Sequence, residues 1–230
     1  MTFKGYYFIT DRRLSRHGLE YDIKAALSCG VPLIQYREKE LNSRELYNQA
    51  LRLRQLCPPG TLIINDRLDI ALAVNADGLH LGSEDLPLTV ARRILGAEKI
   101  IGVTIRSLAE AKQAESDGAS YLAPAPIFPT TTKNDTGPAL GCDFIRQLKK
   151  IVSLPLVAIG GIDYHNAPEV ITAGADMICA ISAVVTKEDP ALEILKNIIE
   201  DYLETALFFK VKYIILFCYS LHAHFLKYQE

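Results

Sequence analysis

The stretch "TLIINDRLDIALAVNADGLHL" (61–81) contains one complete structural repeat and decides the fold. Short apolar runs at "TLIIN" (61–65) and "GLHL" (78–81) predict strands, and the segment between them has helical character. Gly78 stands at the turn from that helix into the second strand. The succession of strand, helix, glycine turn and strand is typical of a βαβ unit, so we expect the strands to be parallel.

The same alternation runs along most of the chain. Further strands are predicted at "YYFIT" (6–10), "PLIQYRE" (32–38), "KIIGVT" (99–104), "SYLAPA" (120–125), "PLVAIG" (155–160) and "DMICAI" (176–181). Helical segments follow the strands, as at 43–56, where Leu46, Leu53 and Leu56 are spaced for one buried face. Eight strands alternating with helices predict a single-domain parallel (β/α)8 TIM barrel. An open doubly wound sheet is the alternative, but no glycine fingerprint follows the first strand.

The barrel prediction covers residues 1–205 and leaves 206–230, "ALFFKVKYIILFCYSLHAHFLKYQE", as a C-terminal hydrophobic extension of unknown role. Lys210 and Lys212 interrupt its apolar run. The remaining "VKYIILFCYSL" is shorter than the roughly 20 residues that an integral membrane span needs. We therefore expect an extra helix, an oligomer contact or a membrane-surface anchor rather than a membrane-spanning helix.

Composition limits the classes of function. The chain is 49% hydrophobic and 23% charged, as in an ordinary globular protein. A formal net charge of -2 argues against a nucleic-acid partner. The five scattered cysteines form no CxxC pair, and the N-terminus lacks the apolar core of a signal peptide. We expect a cytoplasmic protein with small-molecule partners, and a homo-oligomer is possible.

Polar residues cluster where the predicted strands end, which is where barrel enzymes carry their chemistry. In "QYREK", Gln35, Arg37 and Lys39 share one face for as long as the strand lasts. They could line the mouth beside an anionic ligand, or the strand could end at Tyr36 and leave a solvated turn. The residues alone leave both interpretations open.

Two aspartates follow neighbouring predicted strands. Asp66 follows strand three and Asp85 follows strand four. Each could cap the next helix. Taken together they could share one magnesium ion, because magnesium takes one or two carboxylates and completes its shell with water and substrate phosphates. The sequence therefore predicts a magnesium-diphosphate site.

The opposite side of the predicted mouth has residues suited to a phosphate. Gly160, Gly161 and Ser182 follow strands seven and eight, whose loops usually form the phosphate pocket of these barrels. The stretch "PIFPTTTKND" (126–135) follows strand six and supplies hydroxyls and one ammonium group. We interpret it as a bridge between two phosphorylated groups, and a solvated loop is the alternative.

Five segments, "QYREK", "NDRLDIALAVNADGLHLGSEDLP", "PIFPTTTKND", "VAIGGI" and "GADMICAISAV", resemble the thiamine phosphate synthase family in order, over roughly 6–185. The resemblance implies a transferase of thiamine biosynthesis that joins 4-amino-2-methyl-5-(diphosphooxymethyl)pyrimidine to a thiazole phosphate and releases diphosphate. It implies Mg2+ on Asp66 and Asp85, with Arg37, Lys133 and Thr104 as catalytic residues. It implies pyrimidine diphosphate contacts at Gln35, Tyr36, Arg37, Glu38, Lys39, Asn65, Thr104 and Lys133. It implies thiazole phosphate contacts at Thr130, Thr131, Thr132, Gly161, Ile181 and Ser182.

The sequence also departs from that family. Thr104 stands where the family usually has serine, and Ala123 and Ala125 stand where it usually has glycines. Arg106 replaces a histidine that a related group, the thiazole tautomerase-like proteins, is thought to use as an acid and base. Two alternatives remain: a tautomerase-like enzyme, disfavoured by Arg106, and a barrel that binds a phosphorylated ligand without turnover, suggested by the two alanines.

Overall fold

The structure is a computed structural model of the 230-residue chain, and it describes residues 3–130, 132 and 137–203. Its strands are β1 (Gly5–Ile9), β2 (Leu33–Tyr36), β3 (Leu62–Asn65), β4 (Gly78–Leu81), β5 (Ile100–Ile105), β6 (Tyr121–Pro124), β7 (Val157–Ile159) and β8 (Met177–Cys179). Its helices are α1 (Leu19–Ser28), α2 (Ser43–Leu56), α3 (Leu68–Ala73), α4 (Leu88–Leu95), α5 (Leu108–Ser116), α6 (Gly141–Leu148), α7 (Ala167–Thr172), α8 (Ser182–Val185) and α9 (Pro190–Leu203).

The strands form one parallel barrel. The sheet has the order β6-β5-β4-β3-β2-β1-β8-β7, and all of these pairs are parallel. The ring closes between β6 and β7, where Leu122 bridges Leu156 and the Leu122 amide donates to the Pro155 carbonyl at 2.9 Å. The predicted (β/α)8 barrel is therefore confirmed, and the doubly wound alternative is wrong.

Apolar side chains fill both faces of the barrel wall, as a parallel sheet covered by helices requires. The inner layer contains Tyr7, Ile9, Leu33, Ile63, Tyr121, Ala123, Val157, Met177 and Cys179. The outer layer packs against the helices and includes Phe8, Ile34, Leu62 and Ile64. Because both faces are buried, the strands appear in the sequence as continuous apolar runs.

Local sequence sets the ends of the helices that space the strands. The Asn42 side chain accepts from the Glu45 amide at 3.1 Å, and the Glu45 carboxylate accepts from the Asn42 amide at 3.3 Å, which forms a capping box at the start of α2. Leu46 and Leu53 of this helix are buried, as predicted. Ser107 caps α5 by accepting from the Glu110 amide at 3.2 Å.

The predicted extension at 206–230 lies outside the described residues, so its role stays a prediction. Among the helices that the structure does describe, none is both long and apolar enough to cross a bilayer.

Asp77 joins two elements at the amino-terminal ends of the strands, which is the end of the barrel opposite the cavity mouth. One oxygen, Oδ2, accepts from the Leu62 amide at 2.8 Å and from Arg54 Nη1 at 2.5 Å. Burial acts to raise the pKa of Asp77, but the Arg54 guanidinium and the backbone amides outweigh it, and the pKa is lowered. The charged form is therefore stabilised by folding.

We expect Asp77→Asn to lower the free energy of unfolding by about 1–2 kcal/mol at pH 7. Since the folded-state pKa lies below the unfolded value, this contribution is present above the ordinary carboxyl pKa and disappears as the pH falls through the lowered one. Urea denaturation of both proteins at pH 7 and at pH 3 measures the difference in the free energy of unfolding at each pH. Asp143→Asn, at a side chain that is 85% exposed, is the matched control and should change little. An equal decrease in the free energy of unfolding at both pH values would show that the ionised Asp77 carboxylate is not the cause.

Candidate active site

A cavity of about 850 Å³ opens at the carboxyl ends of the strands. That volume lies within the range of small-molecule sites. The predicted site residues that line it are Gln35, Arg37, Lys39, Asn65, Asp66, Asp85, Thr104, Thr130, Thr132, Gly161, Ile181 and Ser182. Thr131 and Lys133 lie outside the described residues, and Tyr36 and Glu38 do not line the cavity.

Both interpretations of "QYREK" are partly right: the strand ends at Tyr36, and Gln35, Arg37 and Lys39 nevertheless line the cavity. The strand ends at Tyr36, whose hydroxyl donates to Gln49 Oε1 of α2 at 2.6 Å, so this ring faces the helices. Glu38 accepts from the Lys39 amide at 2.8 Å and from Arg12 Nε at 2.7 Å. Its carboxylate therefore builds the turn, and it leaves Arg37 directed into the mouth.

The two aspartates lie side by side at the mouth. Asp66 follows β3 with a left-handed backbone, φ 61°, and its amide donates to the His80 carbonyl at 2.8 Å. Asp85 Oδ2 accepts from the Gly82 amide at 2.6 Å across its own loop. Neither carboxylate caps a helix, because α3 and α4 begin without a side-chain cap. The capping alternative is thus not what the structure shows.

The interaction between the two carboxyl groups separates their pKa values. Burial acts to raise the pKa of Asp66, but Asp85 and the ion pair with Lys39 outweigh it, and the pKa is lowered. Burial and the neighbouring Asp66 raise the pKa of Asp85. Two half-buried carboxyl groups that compete for charge in this way favour a cation between them.

This carboxylate pair fits magnesium better than a metal held by protein alone. In the described part of the chain no group of three or more His, Cys, Asp or Glu side chains could hold a metal ion. Two carboxylates with the remaining positions left to water and phosphate is the arrangement that magnesium prefers.

A cationic wall faces the carboxylates from the β1 and β2 ends. Arg37 Nη1 donates to Asp11 Oδ2 at 3.2 Å, and the Arg37 amide donates to Thr10 Oγ1 at 3.0 Å. Asp11 is 2% exposed, so it fixes the direction of the guanidinium. Arg13 and Lys39 also line the cavity. Donors held in this way can bind the oxygens of a diphosphate.

The far wall has the shape and donors of a phosphate pocket. Gly161 has φ +66°, and a Cβ built there would lie 2.6 Å from the Pro129 carbonyl oxygen, so only glycine fits. Thr132 Oγ1 donates to Ser182 Oγ at 3.3 Å, and the Thr132 amide donates to Thr130 Oγ1 at 3.3 Å. Thr132 therefore contacts the first residue of α8, and the bridge between two phosphorylated groups stays a prediction.

The sequence did not identify every polar residue of the site. Arg13, His80, Ser83 and Glu84 line the cavity and were not predicted. Asp11 was not predicted either, although it directly follows "YYFIT". His80 lies on β4, lines the cavity and is 5% exposed. An inward-facing polar side chain within an apolar strand was the available signal.

The residues that depart from the family pattern lie in or near the cavity wall. Thr104 and Ala125 line the cavity, and Ala123 is buried in the inner layer. Arg106 lines the cavity near the loop after β6, where its Nη2 lies 3.5 Å from the Pro138 carbonyl oxygen.

The fold is that of a (β/α)8 barrel enzyme, and two carboxylates lie at its mouth together with cationic and hydroxyl side chains. The family model described as thiamine monophosphate synthase matches residues 6–184. Proteins named thiamine-phosphate synthase are similar: that of Chloroflexus aurantiacus is 47% identical over 80% of this chain and 86% of the relative. That of Moorella thermoacetica is 50% identical over 74% and 81%.

A solved structure is similar as well. Thiamine phosphate pyrophosphorylase from Pyrococcus furiosus has a TM-score of 0.79 and 40% identity, and the match covers 88% of this chain and 98% of that one. The chain belongs to the thiamine monophosphate synthase family.

Proposed function

We propose that this protein is a thiamine-phosphate synthase, a transferase that joins 4-amino-2-methyl-5-(diphosphooxymethyl)pyrimidine to a thiazole phosphate and releases diphosphate. One observation carries the proposal: Asp66 and Asp85 lie side by side in a cavity that Gly161 and Ser182 line from the opposite wall. A site with two anion-binding walls suits a reaction between two phosphorylated substrates. Family membership supports the same reaction.

The reaction requires one bond to break and one to form. The C–O bond between the pyrimidine methylene and the diphosphate breaks, and its electron pair leaves with the diphosphate. The thiazole ring nitrogen then supplies the electron pair of the new C–N bond to the methylene carbon. Since no proton moves in either step, the protein must stabilise the leaving charge and align the nitrogen.

Residues of the β1 to β4 ends stabilise the leaving group. Asp66 and Asp85 would hold Mg2+, which when bound supplies positive charge to the diphosphate oxygens. Arg37, fixed by Asp11, donates to the same oxygens. Lys133, outside the described residues, is proposed to hold the departing diphosphate.

Residues of the β6 to β8 ends hold the second substrate. Thr130, Thr132 and Ser182 offer hydroxyls to the thiazole phosphate, and the Gly161 backbone allows close approach. Thr131 and Ile181 complete the proposed set. Gln35, Asn65 and Thr104 line the space between the two anion walls, where the pyrimidine ring would lie.

The test is an assay with both purified precursors, with and without a chelator of Mg2+. We expect thiamine phosphate and diphosphate in equal amounts, and loss of both on chelation. Formation of thiamine phosphate that continues without metal would contradict the role of Mg2+. Turnover of the thiazole phosphate without metal and without release of diphosphate would contradict the proposal and favour a tautomerase-like reaction. Tight binding of the thiazole phosphate with no product under any condition would favour a binding protein.

Gly161→Ala tests the phosphate pocket. The added methyl group would meet the Pro129 carbonyl, and the positive φ strains the alanine backbone. We expect KM for the thiazole phosphate to rise about tenfold, because backbone shifts of this size misplace the pocket. Steady-state kinetics with each substrate varied in turn gives the result.

Gly30→Ala is the matched control for that substitution. Gly30 has φ +72° and nothing within 4 Å of the added methyl group, so the backbone strain is similar and the pocket is untouched. A rise in KM of equal size in both variants would show that strain, not the pocket, is responsible.

A further inference from the structure

The turn after β7 holds its carbonyl groups away from the cavity. The Gly160 carbonyl accepts from the Phe128 amide at 3.0 Å. The Gly161 carbonyl accepts from a side chain instead, Asn166 Nδ2, at 2.9 Å. Both glycines line the cavity, and neither of the two donors does. Both carbonyl oxygens therefore point out of the cavity wall, and a single side chain holds the second one there.

The Asn166 side-chain amide has one possible orientation. Its Oδ1 accepts from the Asp163 amide at 2.9 Å, while its Nδ2 donates to the Gly161 carbonyl. A backbone N–H can only donate and a backbone carbonyl can only accept, so turning the side-chain amide over would break both bonds. The two ends of this contact are thus limited to one hydrogen-bond role each.

The start of the next helix does not need these side-chain bonds. α7 begins directly after Asn166, but the Asn166 side chain does not cap it. Asp163 Oδ1 accepts from the His165 amide at 2.9 Å and from the Asn166 amide at 3.2 Å, and so holds the backbone before α7. The Asn166 side chain reaches back five positions instead. Its target is the residue that lines the cavity.

The Asn166 contact sets the direction of the Gly161–Ile162 peptide group. This peptide bond is trans, so its carbonyl and its N–H point in opposite directions. Because the carbonyl points to Asn166, the Ile162 N–H points to the other side of the turn. Ile162 lines the cavity, and in the part of the chain that the structure describes its N–H has no hydrogen-bond partner. This donor therefore faces the cavity.

The direction of this peptide group decides whether it attracts or repels a phosphate. A peptide group carries a dipole of about 3.5 D, with its positive end at the N–H. Gly161 cannot fix that direction by itself, because a glycine backbone tolerates many combinations of φ and ψ. If the peptide group turned over, a carbonyl oxygen would face the anion. A second group must therefore hold the carbonyl.

We propose that Asn166 is a positioning residue for the thiazole phosphate: it holds the Gly161 carbonyl outside the cavity and so presents the Ile162 N–H to the phosphate. Asn166 does not touch the substrate in this account. The inference rests on the proposed function, because it takes the thiazole phosphate as the ligand. It adds a residue that lies outside the cavity wall to those that bind the second substrate.

Asn166→Ala removes both side-chain bonds and tests the inference by calorimetry. We expect the Kd of the thiazole phosphate, measured with Mg2+ and diphosphate present, to rise about tenfold, the effect of about one hydrogen bond. The pyrimidine diphosphate with Mg2+ is the reference ligand, and its Kd should stay unchanged because it binds at the opposite wall. An equal loss of affinity for both ligands would show that Asn166 only stabilises the mouth, and would overturn the inference.

Asn75→Ala is the matched control. Asn75 lies between α3 and β4, at the end of the barrel opposite the mouth, where its Oδ1 accepts from Lys99 Nζ at 2.9 Å. The same substitution there also removes a side-chain hydrogen bond, and it should leave both Kd values unchanged. A tenfold rise in the Kd of the thiazole phosphate in Asn75→Ala would mean that lost stability, not the turned peptide, is responsible.

NMR of the Ile162 amide is a second readout, which a purely structural role would not change. The protein is labelled with ¹⁵N-isoleucine, and Ile162→Val assigns the resonance. We expect saturating thiazole phosphate to move this amide proton downfield in the unmodified protein and to move it much less in Asn166→Ala. The absence of a downfield shift in the unmodified protein, or an unchanged Kd in Asn166→Ala, would overturn the inference.

Binding separates this inference from the proposed function, because it needs no turnover. A protein that makes no thiamine phosphate, but whose affinity for the thiazole phosphate depends on Asn166, would refute the synthase and support the positioning role. A protein that makes product, and whose Asn166→Ala variant binds the thiazole phosphate as tightly, would support the synthase and refute the positioning role.

Discussion

Asp66→Asn is expected to lower kcat/KM by about 10³-fold or more. Residues that only orient metal ligands typically contribute roughly 10–100-fold, and loss of a ligand itself should exceed that. The asparagine keeps the size of the side chain, but it weakens the ion pair with Lys39 and halves the negative charge facing Mg2+. The requirement for Mg2+ should rise as well, which a titration of the rate against metal concentration measures. Asp85→Asn should give a loss of the same order.

Asp69→Asn is the matched control for this change of charge. Asp69 lies three residues further along the chain, its side chain is 62% exposed, and it pairs with Arg67 away from the cavity. We expect near-native kinetics from this variant. A near-native rate in Asp66→Asn would show that the carboxylate pair is not the metal site.

Arg37→Gln is the second substitution with a large expected effect, a loss of about 10²–10³-fold in kcat. Losses of that size follow removal of one donor from a site that stabilises developing negative charge. Arg37→Lys keeps the charge but not the planar fork, so its loss should be smaller. Inhibition by diphosphate should weaken in parallel, because the product carries the same oxygens. Steady-state rates and the inhibition constant for diphosphate test both points.

Arg146→Gln provides the control for Arg37. The Arg146 side chain is 46% exposed, pairs with Asp143 and does not line the cavity. Its replacement should leave the diphosphate inhibition constant unchanged. A loss in Arg146→Gln as large as in Arg37→Gln would mean that general charge, not a positioned guanidinium, carries the effect.

The barrel could be predicted from the sequence because its signals are local. Strands buried on both faces appear as short apolar runs, and helix starts such as Asn42 and Ser107 have cap residues that act within three positions. Residues at strand ends also follow from local order, which is why Asp66, Asp85 and Gly161 could be placed at one mouth. The end of β2 at Tyr36 could not, because it depends on how Glu38 folds back on its own turn.

The hydrogen bond between Tyr7 and Tyr121 could not be predicted from the sequence, because it depends on strand register and side-chain direction. Tyr7 and Tyr121 are 114 positions apart, and nothing in either local sequence indicates that the hydroxyls meet. The Asp11–Arg37 pair spans 26 positions and depends on the same register. Period-two patterns show which faces are buried, but in a wall buried on both faces they do not separate inside from outside.

The central claim is that Asp66 and Asp85 together hold the metal that binds the leaving diphosphate. Anomalous diffraction from crystals soaked with Mn2+ and diphosphate tests it most directly. The account predicts one strong peak between these two carboxylates, at the roughly 2 Å distances of oxygen ligands and in contact with a diphosphate oxygen. A strong peak elsewhere, with neither carboxylate in contact with the metal, would contradict it.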